Sequence, residues 1–233
     1  MNPTYVLHYA PDNASLVIRL AMEELGVSYD TILVDRSVRA QDSAGYRRLN
    51  PAGLIPVLET PDGPIFETAA ILLWLADRHG ALAPSPDATE RAAFLKWLFF
   101  ASNTVHADLR QLFYADAYIG TAPAHQAALR SGISARLRTH LSLIEAQSDC
   151  GWMFGRTPSV LDIYLACMLR WMALYPASWD RSWFDLGRYP RLSDMCRRLE
   201  QRPSVLTAQT AEGLGPSPFT ALDYATPPEG SAT

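Results

Sequence analysis

The sequence predicts an α/β domain followed by an all-α helical domain, and three observations carry that expectation. Tyr5-Val6-Leu7-His8-Tyr9, a helix from Ser15 to Gly26 and a second extended run at Tyr29–Val34 give strand, helix, strand in about thirty residues, the length of a βαβ unit. Asn50 to Asp77 reads as two extended pieces, a turn and a strongly apolar helix. Beyond His79-Gly80-Ala81-Leu82-Ala83-Pro84-Ser85-Pro86-Asp87, where a glycine ends a helix and two prolines follow, the pattern is helical only.

Each element has a local reason. Tyr5–Tyr9 is rich in β-branched and aromatic residues. Ala10-Pro11-Asp12-Asn13-Ala14 is a turn, and Gly26 stands where a left-handed helix cap belongs. Arg36 to Leu49 is polar and arginine-rich, expected as a loop with a short irregular helix. Leu54-Ile55-Pro56-Val57-Leu58 carries its proline near the start, where a strand tolerates one. Pro61-Asp62-Gly63 supplies the turn, and Ile65-Phe66 resumes the extended chain to close a hairpin. Glu67-Thr68 precede the buried run Ala69–Leu75. That pair reads either as an ordinary helix cap or as the charged end of a site for a small zwitterion, with free N–H groups at the helix start. Helices are then expected over 88–115, 124–147, 159–173 and 191–201, and the Gly-, Pro-, Ser- and Thr-rich end as a poorly ordered tail. The expected division is 1–81, a linker at 82–88, a helical domain at 89–212 and the tail at 213–233.

Composition narrows the class. Apolar residues make up 48% and charged residues 19% of 233, with a net charge of −4 and no basic cluster. The chain is therefore expected to be globular, with no nucleic-acid partner. The sequence offers no secretory leader and no apolar run long enough to span a bilayer. Three widely spaced cysteines, Cys150, Cys167 and Cys196, with no CxxC, fit a reducing cytoplasm better than a disulfide framework. Five histidines without ligand spacing give no expectation of a metal.

The motif NPAGLIPVL followed by DGPIFETAAILLWLAD resembles the glutathione-binding segment of the cytosolic glutathione transferases. The strand and helix order before it resembles the thioredoxin-like domain of that family, and the helices after it the family's helical bundle. The resemblance implies a cis bond before Pro56 and backbone pairing of Ile55 with the cysteinyl unit of glutathione. It also implies that Glu67 and Thr68 hold the γ-glutamyl end. Ser159-Val160-Leu161-Asp162 resembles the family's S-x-A-D capping segment, with Leu161 in place of the alanine, and has capping-box form. Glutathione is then the cosubstrate, no metal is implied, and a homodimer acting on a small hydrophobic electrophile, in a detoxifying role, is expected.

The chemistry is less legible. A thiol becomes a strong nucleophile once its thiolate is favoured by a donor or a positive potential. The family keeps its thiol-stabilising residue just after the first strand. The cysteine-bearing bacterial members have a motif like P-G-A-C-S-L, and matching it to Pro11-Asp12-Asn13-Ala14-Ser15-Leu16 puts Ala14 at the cysteine. A mixed disulfide at that position is excluded. Ser15 becomes the leading donor, Asn13 the next and Tyr9 the third, although Ser15 and Asn13 also suit an ordinary helix start. Asn103-Thr104-Val105-His106 resembles the first long helix of those members, where a histidine faces the thiol; the lysine beside it is Ala107 here. Asn103 could reach the γ-glutamyl group across a dimer, and Arg36 or Arg39 the glycyl carboxylate. Phe99, Phe100, Phe113, Tyr114 and Tyr118 are candidates for an apolar acceptor pocket between the domains. The resemblance implies conjugation of glutathione. Ether cleavage, dehalogenation, isomerisation or peroxide reduction share the same thiolate, and a non-enzymatic ligand-binding or regulatory protein on the same fold is the remaining alternative.

Overall fold

A computed structural model describes residues 5–148 and 151–232. Strands β1 (Tyr5–Tyr9), β2 (Tyr29–Leu33), β3 (Val57–Thr60) and β4 (Gly63–Phe66) form one sheet in the order β2-β1-β3-β4. β1 and β2 are parallel, joined through helix α1 (Ser15–Leu25), and β3 runs antiparallel to both β1 and β4. The hairpin pairs Val57 with Phe66 and Leu58 with Ile65, so it begins one residue after Pro56 and leaves Leu54–Pro56 as a loop. Gly26 caps α1 in the left-handed region at φ 64°. Helix α2 (Ala44–Leu49) follows β2 after a short 3₁₀ turn, and α3 (Thr68–His79) follows β4.

The expected first long helix is divided. Helix α4 (Arg91–Phe100) passes into a π-helical turn, Ala101–His106, then α5 (Ala107–Phe113) and α6 (Ala115–Ile119). Such wide turns re-aim the side chains that follow and occur often at functional sites. Helices α7 (Pro123–Gln147), α8 (Val160–Leu174) and α9 (Pro190–Glu200) agree with expectation. Helix α8 is buried almost all round and forms the axis of the helical half. Ser159 and Asp162 make both bonds of the capping box at its start. A tenth helix, α10 (Pro203–Glu212), was not expected, although proline at its first position and Gly213 at its left-handed cap are its start and stop signals.

One apolar core runs from β1 and α1 through α3 into α8 and α9, so the two halves share a core. The tail is corrected by the structure. Leu214 and Phe219 are fully buried, and the Arg170 guanidinium donates to the carbonyls of Leu214, Pro218 and Asp223. The tail's small and polar composition concealed those two apolar anchors. Among the described residues no helix is long and apolar enough to cross a membrane, and no group of three or more acidic, His or Cys side chains could hold a metal. Cys150 lies outside the described residues; Cys167 and Cys196 are free and buried.

Candidate active site

The turn after β1 is built from buried polar bonds. The Ser15 hydroxyl donates to the Ala10 carbonyl at 2.9 Å and accepts from the Ala10 N–H at 3.1 Å, closing the loop. Asp12 takes φ 47°, and its carboxylate is fully buried. It accepts two bonds from Arg170 at 2.9 Å each, one from the Trp171 indole at 3.1 Å and one from the Tyr175 hydroxyl at 2.7 Å. The Asp12 N–H donates to Glu212, which also accepts from Arg19. Burial pushes the Glu212 carboxyl up to about 7, against the opposing pull of Arg19. These bonds fix the turn so that Asn13 and Ala14 face a cavity of about 770 Å³. The Asn13 amide oxygen accepts from the Ala14 N–H at 2.7 Å, which aims its NH₂ away from the turn.

The opposite wall is the loop before β3. The Ile55–Pro56 bond is cis. The Leu54 carbonyl accepts from both Tyr46 and Asn50, and Asn50 also accepts from the Ala52 N–H. The buried Asn50 thus ties down the loop that presents Ile55. At the end of β4, Glu67 sits at φ 73°, a region that costs a non-glycine residue of order 1–3 kcal/mol. Its side chain makes no capping bond to α3, which disfavours the capping reading. Glu67 and the buried Thr68 both line the cavity.

The third wall comes from the helical half. Ser102, His106, Ala107 and Arg110 line the cavity from the π turn and α5, Tyr164 and Trp171 from α8, and Tyr175 from the residue that follows α8. His106 Nδ1 lies 2.5 Å from the Tyr164 hydroxyl, with the rings edge to face. Burial first, and the nearby Arg110 second, hold the imidazole down at about 4. Burial pushes the Tyr164 phenol up. Both groups are therefore neutral near pH 7, and one hydrogen bond joins the phenol to Nδ1.

Of the residues expected from the sequence, Asn13, Ile55, Pro56, Glu67, Thr68 and His106 line this one cavity. Four do not. The Ser15 hydroxyl is fully engaged by Ala10. Tyr9 is buried in the sheet, its hydroxyl on Glu229 and its ring beneath Arg19. Asn103 is exposed, and the exposed Arg39 pairs with Asp42. Arg36, rather than Arg39, reaches the cavity, as do Phe113 and Tyr114. Phe100 packs on Trp97 and His140, Phe99 is exposed, and Tyr118 accepts from Arg110. The sequence reading missed Gln41, Arg110, Tyr164, Trp171 and Tyr175. The available signal was helical spacing: Arg110 stands four residues after His106, and Trp171 seven after Tyr164.

A four-stranded mixed sheet that carries a cis-proline loop, joined through a shared core to a helical bundle, defines a two-domain glutathione-transferase-like protein. Comparison with known proteins agrees. The family described as "Glutathione S-transferase, N-terminal domain" matches residues 14–78, and "Glutathione S-transferase, C-terminal domain" matches 124–198. Glutathione S-transferase GstA of Escherichia coli O157:H7 is 28% identical over 89% of this chain and 98% of its own. Disulfide-bond oxidoreductase YfcG of Escherichia coli K12 is 30% identical over 90% of this chain and 96% of its own. The structure of a sphingomonad glutathione S-transferase complexed with glutathione superposes with a TM-score of 0.73 at 29% identity, covering 90% of this chain and all of that one. The chain belongs to the glutathione S-transferase family.

Proposed function

We propose that this chain binds glutathione in the cavity and transfers its sulfur to a hydrophobic electrophile. The observation that carries the reading is the convergence on one cavity of the cis-Pro56 loop, an uncapped Glu67 and the Asn13 turn. In this reading the Ile55 backbone pairs with the cysteinyl unit. Glu67 takes the γ-glutamyl ammonium, and the Thr68 hydroxyl with the α3 N-terminus takes its carboxylate. Arg36, whose Nη1 is buried without a partner, takes the glycyl carboxylate. The Asn13 amide N–H and the start of α1 favour the thiolate once the thiol proton has left to water. The sulfur then attacks the electrophilic carbon; the C–S bond forms as the leaving group departs with its bonding electrons. His106, held neutral by its surroundings, is too weak a base to keep the thiol proton near pH 7.

A second reading has one specific support. A 30% identical relative bears the name disulfide-bond oxidoreductase, and glutathione thiolate can attack a disulfide sulfur as readily as a carbon, expelling the other sulfur as thiolate. A cytoplasmic homodimer is part of the proposal, supported by the free, buried Cys167 and Cys196 and by the family.

The experiment is glutathione titration followed by turnover of an aryl halide and of a small disulfide. Glu67→Gln is expected to weaken glutathione binding at least tenfold with little change in the bound thiol pKa. Asn13→Ala is expected to raise that pKa and to lower kcat/KM ten- to a hundredfold with a smaller change in affinity. Normal affinity in Glu67→Gln would remove the anchor. Tight binding without turnover of either substrate would favour a ligand-binding protein.

A further inference from the structure

The cavity mouth holds two guanidiniums arranged around one phenol. Arg36 donates to the Tyr114 hydroxyl at 3.1 Å, and the Arg110 guanidinium lies 6.0 Å from the Tyr114 ring centre. Arg110 also donates to the Tyr118 hydroxyl at 3.0 Å. Neither arginine has a carboxylate partner among the described residues, whereas Arg39, a near neighbour of Arg36 in the same loop, is paired with Asp42. The two acids that line the cavity are committed elsewhere. Asp12 is neutralised by Arg170, and Glu67 lies at the α3 end, where the proposed reading gives it an ammonium.

A count of charges follows from the proposed binding mode, on which this inference rests. Bound glutathione brings one carboxylate to the α2 side of the cavity, where Arg36 receives it. Its other carboxylate lies with Glu67 and Thr68. Arg110 then remains a cation without an anion. It lies on α5 one helical turn after His106, and both residues line the cavity. The cavity that Arg110 lines also carries the aromatic side chains of Phe113, Tyr114, Trp171 and Tyr175, with the Tyr114 ring beside the guanidinium.

We propose that the acceptor half of the cavity selects an aromatic or conjugated electrophile carrying an anionic group, with Arg110 as the residue that receives the anion and the aromatic wall receiving the body. Aromatic planes beside a guanidinium leave it less hydrated than one in open water and favour a flat anion-bearing ring between them. Arg110 is an exposed residue, so the preference is set at five- to tenfold, above an open surface pair and below a buried one.

The test uses product analogues, which need no turnover. Glutathione, S-benzylglutathione and S-(4-carboxybenzyl)glutathione are titrated calorimetrically into the full-length wild-type protein, Arg110→Gln and Arg110→Lys. The expected result is that the carboxylated conjugate binds the wild type five- to tenfold more tightly than the neutral one. Arg110→Gln should abolish that ratio, Arg110→Lys should retain part of it, and glutathione affinity should stay the same in all three. Equal binding of the two conjugates by the wild type, or a loss in Arg110→Gln that strikes both equally, would overturn the inference and leave glutathione binding intact. A loss of glutathione affinity in Arg110→Gln would assign Arg110 to the peptide and overturn it as well. Failure of the wild type to bind glutathione or either conjugate would remove the glutathione reading and the inference together.

Discussion

Single residues in this protein act through which of their polar atoms are already taken. Ser15 and Asn13 are two residues apart on one turn, and both are ordinary choices for a helix start. The Ser15 hydroxyl is spent on both polar groups of Ala10, whereas Asn13 keeps an amide N–H to offer. His106 gives a pH prediction with a definite sign. Its pKa is depressed from 6.5 to about 4 in the folded chain. The unfolded chain therefore takes up a proton that the folded chain refuses between those values. Its contribution is complete above about pH 6.5 and is lost progressively as pH falls towards 4, by up to about 3 kcal/mol. Denaturant melts of wild type and His106→Gln between pH 8 and pH 4.5 should converge on acidification, since the variant lacks this loss. A pH-independent gap between the two would contradict a neutral, half-buried imidazole. The same value puts no limb from His106 in an activity profile between pH 6 and pH 8.

At the scale of elements, the π turn and the tail matter most. The π turn sits in the middle of what the apolar pattern presents as one helix, because helical periodicity over 88–115 does not register a single wide turn. The tail is locked at Gly213. There the backbone takes φ +62°, and a Cβ would stand 2.1 Å from the Thr226 carbonyl oxygen. Gly213→Ala is therefore expected to cost more than about 1 kcal/mol and to free residues beyond 213, detected as a lower denaturation midpoint and early proteolytic cleavage in the tail. Unchanged cleavage would mean that the tail does not depend on this approach. Where local chemistry alone decides, the sequence was readable: the Ser159–Asp162 capping box, the Gly26 cap and the Pro61-Asp62 turn all stand as their residues indicate.

Across the whole molecule, Asp12 and Arg170 join the halves. Both side chains are fully buried, and Arg170 adds three tail carbonyls to the pair. Removing one partner leaves an uncompensated buried charge, a loss of about 3–5 kcal/mol. Asp12→Asn and Arg170→Met should each lower stability on that scale. The double variant should recover more than 1 kcal/mol relative to the sum, measured by a denaturation cycle. Additive losses would show that the two ends of the molecule are held independently. Because Asp12 precedes Asn13, each single variant should also raise the bound thiol pKa, although Arg170 lies outside the cavity wall.

The sequence by itself determined the order of the two halves, the hairpin and helix of residues 50–77, and six residues of the cavity: Asn13, Ile55, Pro56, Glu67, Thr68 and His106. The order, the hairpin and the helix follow from short-range patterns, in which turn residues, caps and apolar spacing act within a few positions of one another; the cavity residues were marked chiefly by the resemblance of their motifs to the family. Only the tertiary structure decided which donor on the first turn faces the cavity, that Arg36 rather than Arg39 reaches it, and that Arg110 waits at its mouth. The orientation of that turn is set by Asp12 in the left-handed region, bonded to an arginine 158 residues away. No local pattern records a partner at that distance.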